Sequence, residues 1–194
     1  MEKNEARELI RNMRLGLLSS DIAHSSSAVS KNILQIEPLR KSEIVAAYLP
    51  FGKEIDTRHI TAWLWQLGKT VCVPVVNKET KSMKFAKIFP KTKLKTNSLG
   101  IPEPESTSFV DVKNIDAFLV PGIAFSKNGH RVGSGQGFYD IFFDSEKPRG
   151  LKIGIAYGFQ VVEKIENEGH DVPMDYVVTE NDIIYAKDSG SNKV

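Results

Sequence analysis

The sequence predicts an α/β protein, three layers α/β/α with a mostly parallel central sheet. Two observations carry that reading: short apolar runs of strand length alternate with amphipathic helical stretches, and the strand-like runs end in Pro and Gly turns. The size agrees, because 194 residues with 41% hydrophobic and 26% charged content match one globular domain. Residues 1–187 are expected to form that domain, and 188–194 a frayed tail.

The elements follow in order. Ala6, Ile10, Met13 and Leu17 recur at steps of 4, 3 and 4 and make the apolar stripe of a first helix. Lys3, Arg7, Arg11 and Arg14 keep the same rhythm beside it, which by spacing alone reads as a solvated basic face. A second helix is expected from Asp21 to Ile36, capped by Ser20 or Asp21, although the run Ser25-Ser26-Ser27 is poor helix material. Glu43–Leu49 reads as a buried strand closed by Pro50 and Gly52. Thr57 then caps a short helix with Ile60, Trp63, Leu64 and Leu67 on one face, ended by Gly68. Thr70–Val76 is the next strand, where Pro74 signals an edge or a break. Met83–Phe89 follows as a strand, then the basic loop Lys91–Lys95 and the Pro-rich turn Ile101–Pro104. Ala117–Val120, Leu151–Ala156 and Tyr176–Thr179 complete the strands, and residues 123–139 between them read as loop.

Composition excludes several classes. A formal net charge of +2 gives no whole-chain case for nucleic-acid binding. The single cysteine, Cys72, builds neither an internal disulfide nor a zinc cluster. No apolar run approaches the roughly 18–20 residues that span a bilayer, and the start lacks an apolar signal core. A cytoplasmic monomer that handles small molecules is the expectation.

The densest chemical signal is Arg131-Val132-Gly133-Ser134-Gly135-Gln136-Gly137-Phe138-Tyr139-Asp140. Glycines at alternate positions let backbone N–H groups approach an anion, and a helix starting at Phe138 aims its positive end at the same place. Arg131 adds a permanent charge suited to phosphate, and Asp140 a magnesium ligand. A plain turn explains the glycines equally well at this level. Two better-known phosphate motifs are absent: Phe138 replaces the last glycine of a dinucleotide fingerprint, and Gly68-Lys69-Thr70 lies between a helix and a strand, the reverse of P-loop order. Glu54, just beyond the strand ending at Pro50, is placed for ligand contact with Leu49 and Phe51 as apolar walls. Asp56 fits better as a helix N-terminal acid. Asp171 and Asp175 are further carboxylates able to share a cation with Asp140. Cys72, in an apolar strand, reads as core, and the four histidines show no ligand spacing.

These motifs, in this order, resemble the 5-formyltetrahydrofolate cyclo-ligase family. The resemblance runs through Lys3-x-x-x-Arg7, Tyr48-Leu49-Pro50…Glu54-Ile55-Asp56-Thr57, Leu99-Gly100-Ile101-Pro102-Glu103-Pro104, Val120-Pro121-Gly122-Ile123-Ala124-Phe125, Arg131 to Asp140, and Asp171-Val172-Pro173-Met174-Asp175. It implies a fold similar to the sugar-phosphate isomerase and CoA-transferase group. It also implies ATP- and magnesium-dependent closure of 5-formyltetrahydrofolate to 5,10-methenyltetrahydrofolate through a phosphorylated formyl group. By position, Lys3, Arg7 and the loop from Arg131 through Val132, Gly133, Ser134, Gly135, Gln136, Gly137 and Phe138 to Tyr139 would hold ATP. Leu49, Phe51 and Glu54, with Ser134, Gly135, Gln136, Gly137 and Phe138, would line the folate site. Asp140 and Asp171 would bind Mg²⁺, and Arg131 and Tyr139 would act on the reacting groups. Phe138 stands where many relatives carry a second tyrosine, and Gln136 and Ser134 where a basic or aromatic residue is frequent. Those departures leave a non-catalytic folate- or nucleotide-binding relative as the alternative reading.

Overall fold

The protein, in a computed structural model, is described for residues 1–166 and 171–186; the expected tail and His170 lie outside them. The first half of the chain runs α1 (Lys3–Leu15), α2 (Ser19–Ile33), α3 (Glu37–Lys41), β1 (Ile44–Ala46), α4 (Arg58–Gln66), β2 (Thr70–Asn77), β3 (Ser82–Ile88), β4 (Leu94–Thr96), β5 (Pro102–Pro104) and β6 (Phe109–Val110). The second half runs β7 (Ala117–Pro121), β8 (Ala124–Ser126), β9 (Arg131–Val132), α5 (Phe138–Glu146), β10 (Leu151–Ile155), β11 (Val161–Val162), β12 (Tyr176–Val178) and β13 (Ile183–Tyr185).

Eight strands form the main sheet in the order β13-β12-β10-β7-β1-β2-β3-β6. The five from β12 to β2 are parallel to one another, and β13, β3 and β6 pair antiparallel at the two edges. The helices cover both faces, as the α/β pattern requires. Val29, Ile33, Ile60 and Leu64 of α2 and α4 pack on one face of the sheet, and Phe138, Phe142 and Phe143 of α5 on the other. Four phenylalanines (Phe85, Phe118, Phe142, Phe143) meet with ring centroids 5.2–5.8 Å apart beneath α5, a spacing that favours edge contacts over flat stacking.

The crossover from β1 through α4 to β2 leaves the centre in one direction. The crossover from β7 through α5 to β10 leaves it in the other, on the opposite face. The adjacent carboxyl ends of β1 and β7 therefore mark the switch point of the sheet, where ligands of open α/β folds bind. The loops that follow those two strands carry Glu54 and Arg131.

Several local expectations change. The second helix begins at Ser19, because the Asp21 carboxylate accepts the Leu18 N–H (2.8 Å) from inside the first turn. Its serine run stays helical because Ser26 is buried and its hydroxyl accepts the Asp56 N–H at 2.8 Å. On α1 the apolar stripe stops at Ile10, with Met13 44% exposed, and on α4 Leu67 is 52% exposed. Trp63 is only half-buried against the core. Pro74 sits in a strand that is internal at its start. Pairing of β2 with β1 ends at Cys72, so Pro74 faces a neighbour on the β3 side alone and costs no ladder bond to β1. The basic loop and the Pro-rich turn contain the β4–β5 hairpin. Residues 123–139 are not all loop: β8 pairs with β9 and β11 in a separate three-stranded sheet.

That small sheet carries α1. Ala6 and Ile10 pack with Ile123, Ala124, Val132 and Ile165 in a cluster of their own.

Candidate active site

The basic stripe of α1 is half-buried at Lys3, Arg7 and Arg14 and exposed at Arg11, and all four side chains reach across to later parts of the chain. Arg7 donates from Nε to the Gly133 carbonyl (3.0 Å), Arg11 to the Ser134 carbonyl (2.9 Å) and Arg14 to the Gly122 carbonyl (2.9 Å). Lys3 pairs with Asp171, Nζ to Oδ2 2.7 Å. One helix face thus lies across the Gly-rich loop and bonds to backbone more than a hundred residues away. Spacing had placed these four on one stripe; only the hairpin beneath α1 determines what that stripe meets.

The loop itself turns through backbone that glycine adopts at little cost. Gly135 has φ +102° and Gly137, the N-cap of α5, φ +76°. No side chain caps α5, which leaves its first N–H groups available to an anion. Val132 is buried beneath the loop against α1, so its side chain reaches neither cavity described below.

Arg131 is 7% exposed and donates to Asp140 Oδ1 at 2.5 Å. Its Nε has no hydrogen-bond partner among the described residues, and its guanidinium lies 5.5 Å from the centre of the Tyr139 ring. A buried arginine with an unmatched N–H beside a glycine loop fits an anionic ligand.

Two cavities flank this loop. One, of about 410 Å³, is lined by Lys3, Arg7, Gly135, Asp140, Asp144 and Asp171, among others. The second, of about 260 Å³, is mainly apolar and lies at the switch point, with Leu49, Phe51, Glu54, Glu103, Phe138 and Tyr139 in its wall. Gly133, Gly137 and Asp140 line both. Ser134 and Gln136 face the apolar cavity and Gly135 the polar one.

In the apolar cavity Glu54 accepts the Phe51 N–H at 3.0 Å. Burial raises its carboxyl above the ordinary range, opposed by that hydrogen bond and by the charge of Arg14. Tyr48 donates to the Ile55 carbonyl (2.9 Å) and Tyr157 to the Lys53 carbonyl (3.1 Å), bracing the loop that carries Glu54. Burial holds both the Tyr48 and Tyr139 hydroxyls protonated far into the alkaline range. Cys72 is buried, and its thiol is pushed up to about 12, as expected of a core cysteine rather than a nucleophile.

Among the described residues, no three His, Cys, Asp or Glu side chains converge as a protein-only metal cage. Asp140, Asp144 and Asp171 do share the polar cavity with Lys3 and Arg7. One or two carboxylates beside a phosphate site is the donor set magnesium takes, the phosphates and water supplying the rest. Asp175 is turned elsewhere and accepts the Lys152 N–H at 2.7 Å. Asp56 accepts the Arg58 N–H (2.9 Å) at the start of α4, the role of a helix N-terminal acid. Sequence reading missed Glu103, Arg11 and Arg14; the stripe spacing was the available signal for the two arginines.

An α/β domain with a Gly-rich loop at its switch point, between a charged cavity and an apolar one, has the architecture of an enzyme that acts on small molecules. Comparison with known proteins narrows this. The 5-formyltetrahydrofolate cyclo-ligase family matches residues 1–180, and the chain belongs to that family. The Haemophilus influenzae 5-formyltetrahydrofolate cyclo-ligase is 30% identical over 89% of this chain and 95% of its own. The Escherichia coli K12 protein of the same name is 29% identical over 88% and 96%. The NMR structure of Aquifex aeolicus 5,10-methenyltetrahydrofolate synthetase superposes with a TM-score of 0.83 at 30% identity, covering 99% of this chain and 96% of that one.

Proposed function

We propose that this protein catalyses ATP- and Mg²⁺-dependent cyclisation of 5-formyltetrahydrofolate to 5,10-methenyltetrahydrofolate, releasing ADP and phosphate. The observation that carries the reading is the shared wall: Gly133, Gly137 and Asp140 border both cavities, so a phosphate in one and a folate in the other meet across a single loop.

A formamide oxygen is a poor leaving group. Transfer of the ATP γ-phosphoryl to that oxygen releases ADP and makes a phosphate ester. Attack by the folate N10 on the same carbon then forms the new C–N bond, breaks the C–O bond and expels phosphate, which takes the N10 proton. Such transfer rests on positioning and on cancelling charge rather than on a covalent nucleophile. Lys3 and Arg7 hold the phosphates from α1, and backbone N–H groups of Gly133 to Phe138 cradle them. Arg131, with its spare Nε–H, faces the transferring group, and the Tyr139 hydroxyl, protonated through neutral pH, donates to it. Leu49, Phe51, Glu54 and Phe138 hold the folate, with Ser134 and Gln136 at the junction. Asp140 and Asp171 hold Mg²⁺, which supplies neutralisation of phosphate charge when bound.

The scheme takes residues 1–187 as one catalytic domain that works as a monomer on small molecules. Among the described residues no helix is long and apolar enough to cross a membrane.

The test is an absorbance assay for methenyltetrahydrofolate with purified protein, 5-formyltetrahydrofolate and Mg²⁺, with and without ATP. Product that appears only with ATP is expected. Product without ATP, or none with it, overturns the reading.

A further inference from the structure

The apolar cavity holds a second carboxylate besides Glu54. Glu103 sits on β5 between Pro102 and Pro104 and is 5% exposed. Its Oε1 accepts the Val76 N–H at 2.9 Å, which fixes the carboxylate against β2. Among the described residues no other protein donor reaches it. Lys95 stands opposite in the β4–β5 register, yet the two form no ion pair, and Arg131 is held by Asp140. A carboxylate fixed in the wall of an apolar cavity, with acceptor capacity left over, is matched by N–H groups on whatever fills that cavity.

The chemistry of a reduced folate narrows which part supplies them. Its glutamate end is anionic and is repelled by Glu103. The benzoyl ring offers no adjacent donor pair. The pterin ring carries an N3–H and a 2-amino group side by side in one plane, the complement of a carboxylate. Adenine presents a donor beside an acceptor instead, so the same residue disfavours the nucleotide in this cavity.

We propose that Glu103 binds the N3–H and 2-amino edge of the pterin and so determines which heterocycle the folate cavity accepts. The inference rests on the cyclo-ligase reading and adds the orientation of the substrate: pterin toward β5 and β2, formyl group toward the Gly-rich loop.

The experiment is equilibrium binding of 5-formyltetrahydrofolate and of its 2-desamino-2-methyl analogue to the unaltered protein and to Glu103→Gln, alongside the ATP assay. The Gln side chain keeps an oxygen for the Val76 N–H but lacks the charge. The expected result is a folate Kd about 10- to 100-fold higher in the variant, the worth of a charge-assisted pair, with the KM for ATP unchanged. The unaltered protein should prefer the 2-amino compound by about tenfold or more, and the variant should lose that preference. Equal affinity of the unaltered protein for both compounds overturns the inference without recourse to any variant. So does an unchanged Kd or a retained preference in Glu103→Gln while the unaltered protein turns over. If the unaltered protein neither binds nor cyclises 5-formyltetrahydrofolate, the cyclo-ligase reading itself fails, and the inference with it.

Discussion

Asp140 has two claims on its charge, and replacing it with Asn separates them. In the structure it is the counter-ion of Arg131, whose side chain is only 4% exposed, while Asp140 itself is 29% exposed. Removing one partner of a buried ion pair typically costs about 3–5 kcal/mol, because the other charge stays behind without compensation. Exposure on the Asp140 side admits water, so about 2–3 kcal/mol is the appropriate range. At about 2–4 °C per kcal/mol for a chain of this size, Tm should fall by roughly 4–12 °C. In a background of Arg131→Met, where no cation is stranded, the same change should cost less than about 1 kcal/mol. The second claim is on the metal. In chelator, ATP should stabilise Asp140→Asn more than the unaltered protein, since an anion has been removed from beside the phosphates. With Mg²⁺ the order should reverse, because a metal ligand has gone. Thermal melts with ATP, with and without Mg²⁺, read both effects. A Tm loss below about 2 °C, or ATP shifts that do not change order with Mg²⁺, would refute the double role.

The other predictions concern the apolar cavity and the packing beneath the loop. Burial raises the Glu54 carboxyl above its unfolded value. The ionised side chain therefore lowers stability at pH above both values, and that cost fades as pH falls through the folded value to the unfolded one. Glu54→Gln should accordingly melt higher than the unaltered protein at about pH 8 and converge with it near pH 4, while raising the KM for folate and leaving that for ATP; a gain that grows in acid would contradict this sign. A Cβ on Gly154 would stand 2.5 Å from Phe125 Cε1, and one on Gly122 would stand 2.6 Å from Phe125 Cζ and 3.1 Å from Arg131 Cγ. Each Ala substitution should cost about 1–3 kcal/mol in chemical denaturation. Gly122→Ala should also raise the KM for ATP by displacing Arg131; equal kinetics in the two variants would remove Arg131 from the phosphate site.

What the sequence made legible is what local patterns encode. β1, β2, β7, β10 and β12 are apolar runs bounded by turn residues, and they are the parallel centre of the sheet. Alternating glycines followed by Phe138 marked the loop that borders both cavities, and a carboxylate past β1 marked Glu54 in the wall of the apolar one. The β8–β9 hairpin and β11 escaped because strands of two or three residues show no periodicity. Spacing puts Arg11 and Arg14 on one solvated stripe; Arg11 is indeed exposed, but the carbonyls that both bond, of Ser134 and Gly122, are 123 and 108 residues away and leave no local signal. Glu103 lies between two prolines, a context that reads as a turn until β4 pairs with it.

The long reach of α1 bears on how the protein comes into being. Arg7 leaves the ribosome 126 residues ahead of the Gly133 carbonyl it holds, roughly 6–25 s at ordinary rates of synthesis. Through that interval α1 has an apolar stripe and four cations but no hairpin to rest on, so in an emerging chain the wall shared by the two cavities is missing however well the first strands have paired. That wall forms only when β8, β9 and the loop dock beneath a helix made long before. A chain truncated anywhere short of residue 131 therefore lacks both cavities' common border rather than keeping part of it.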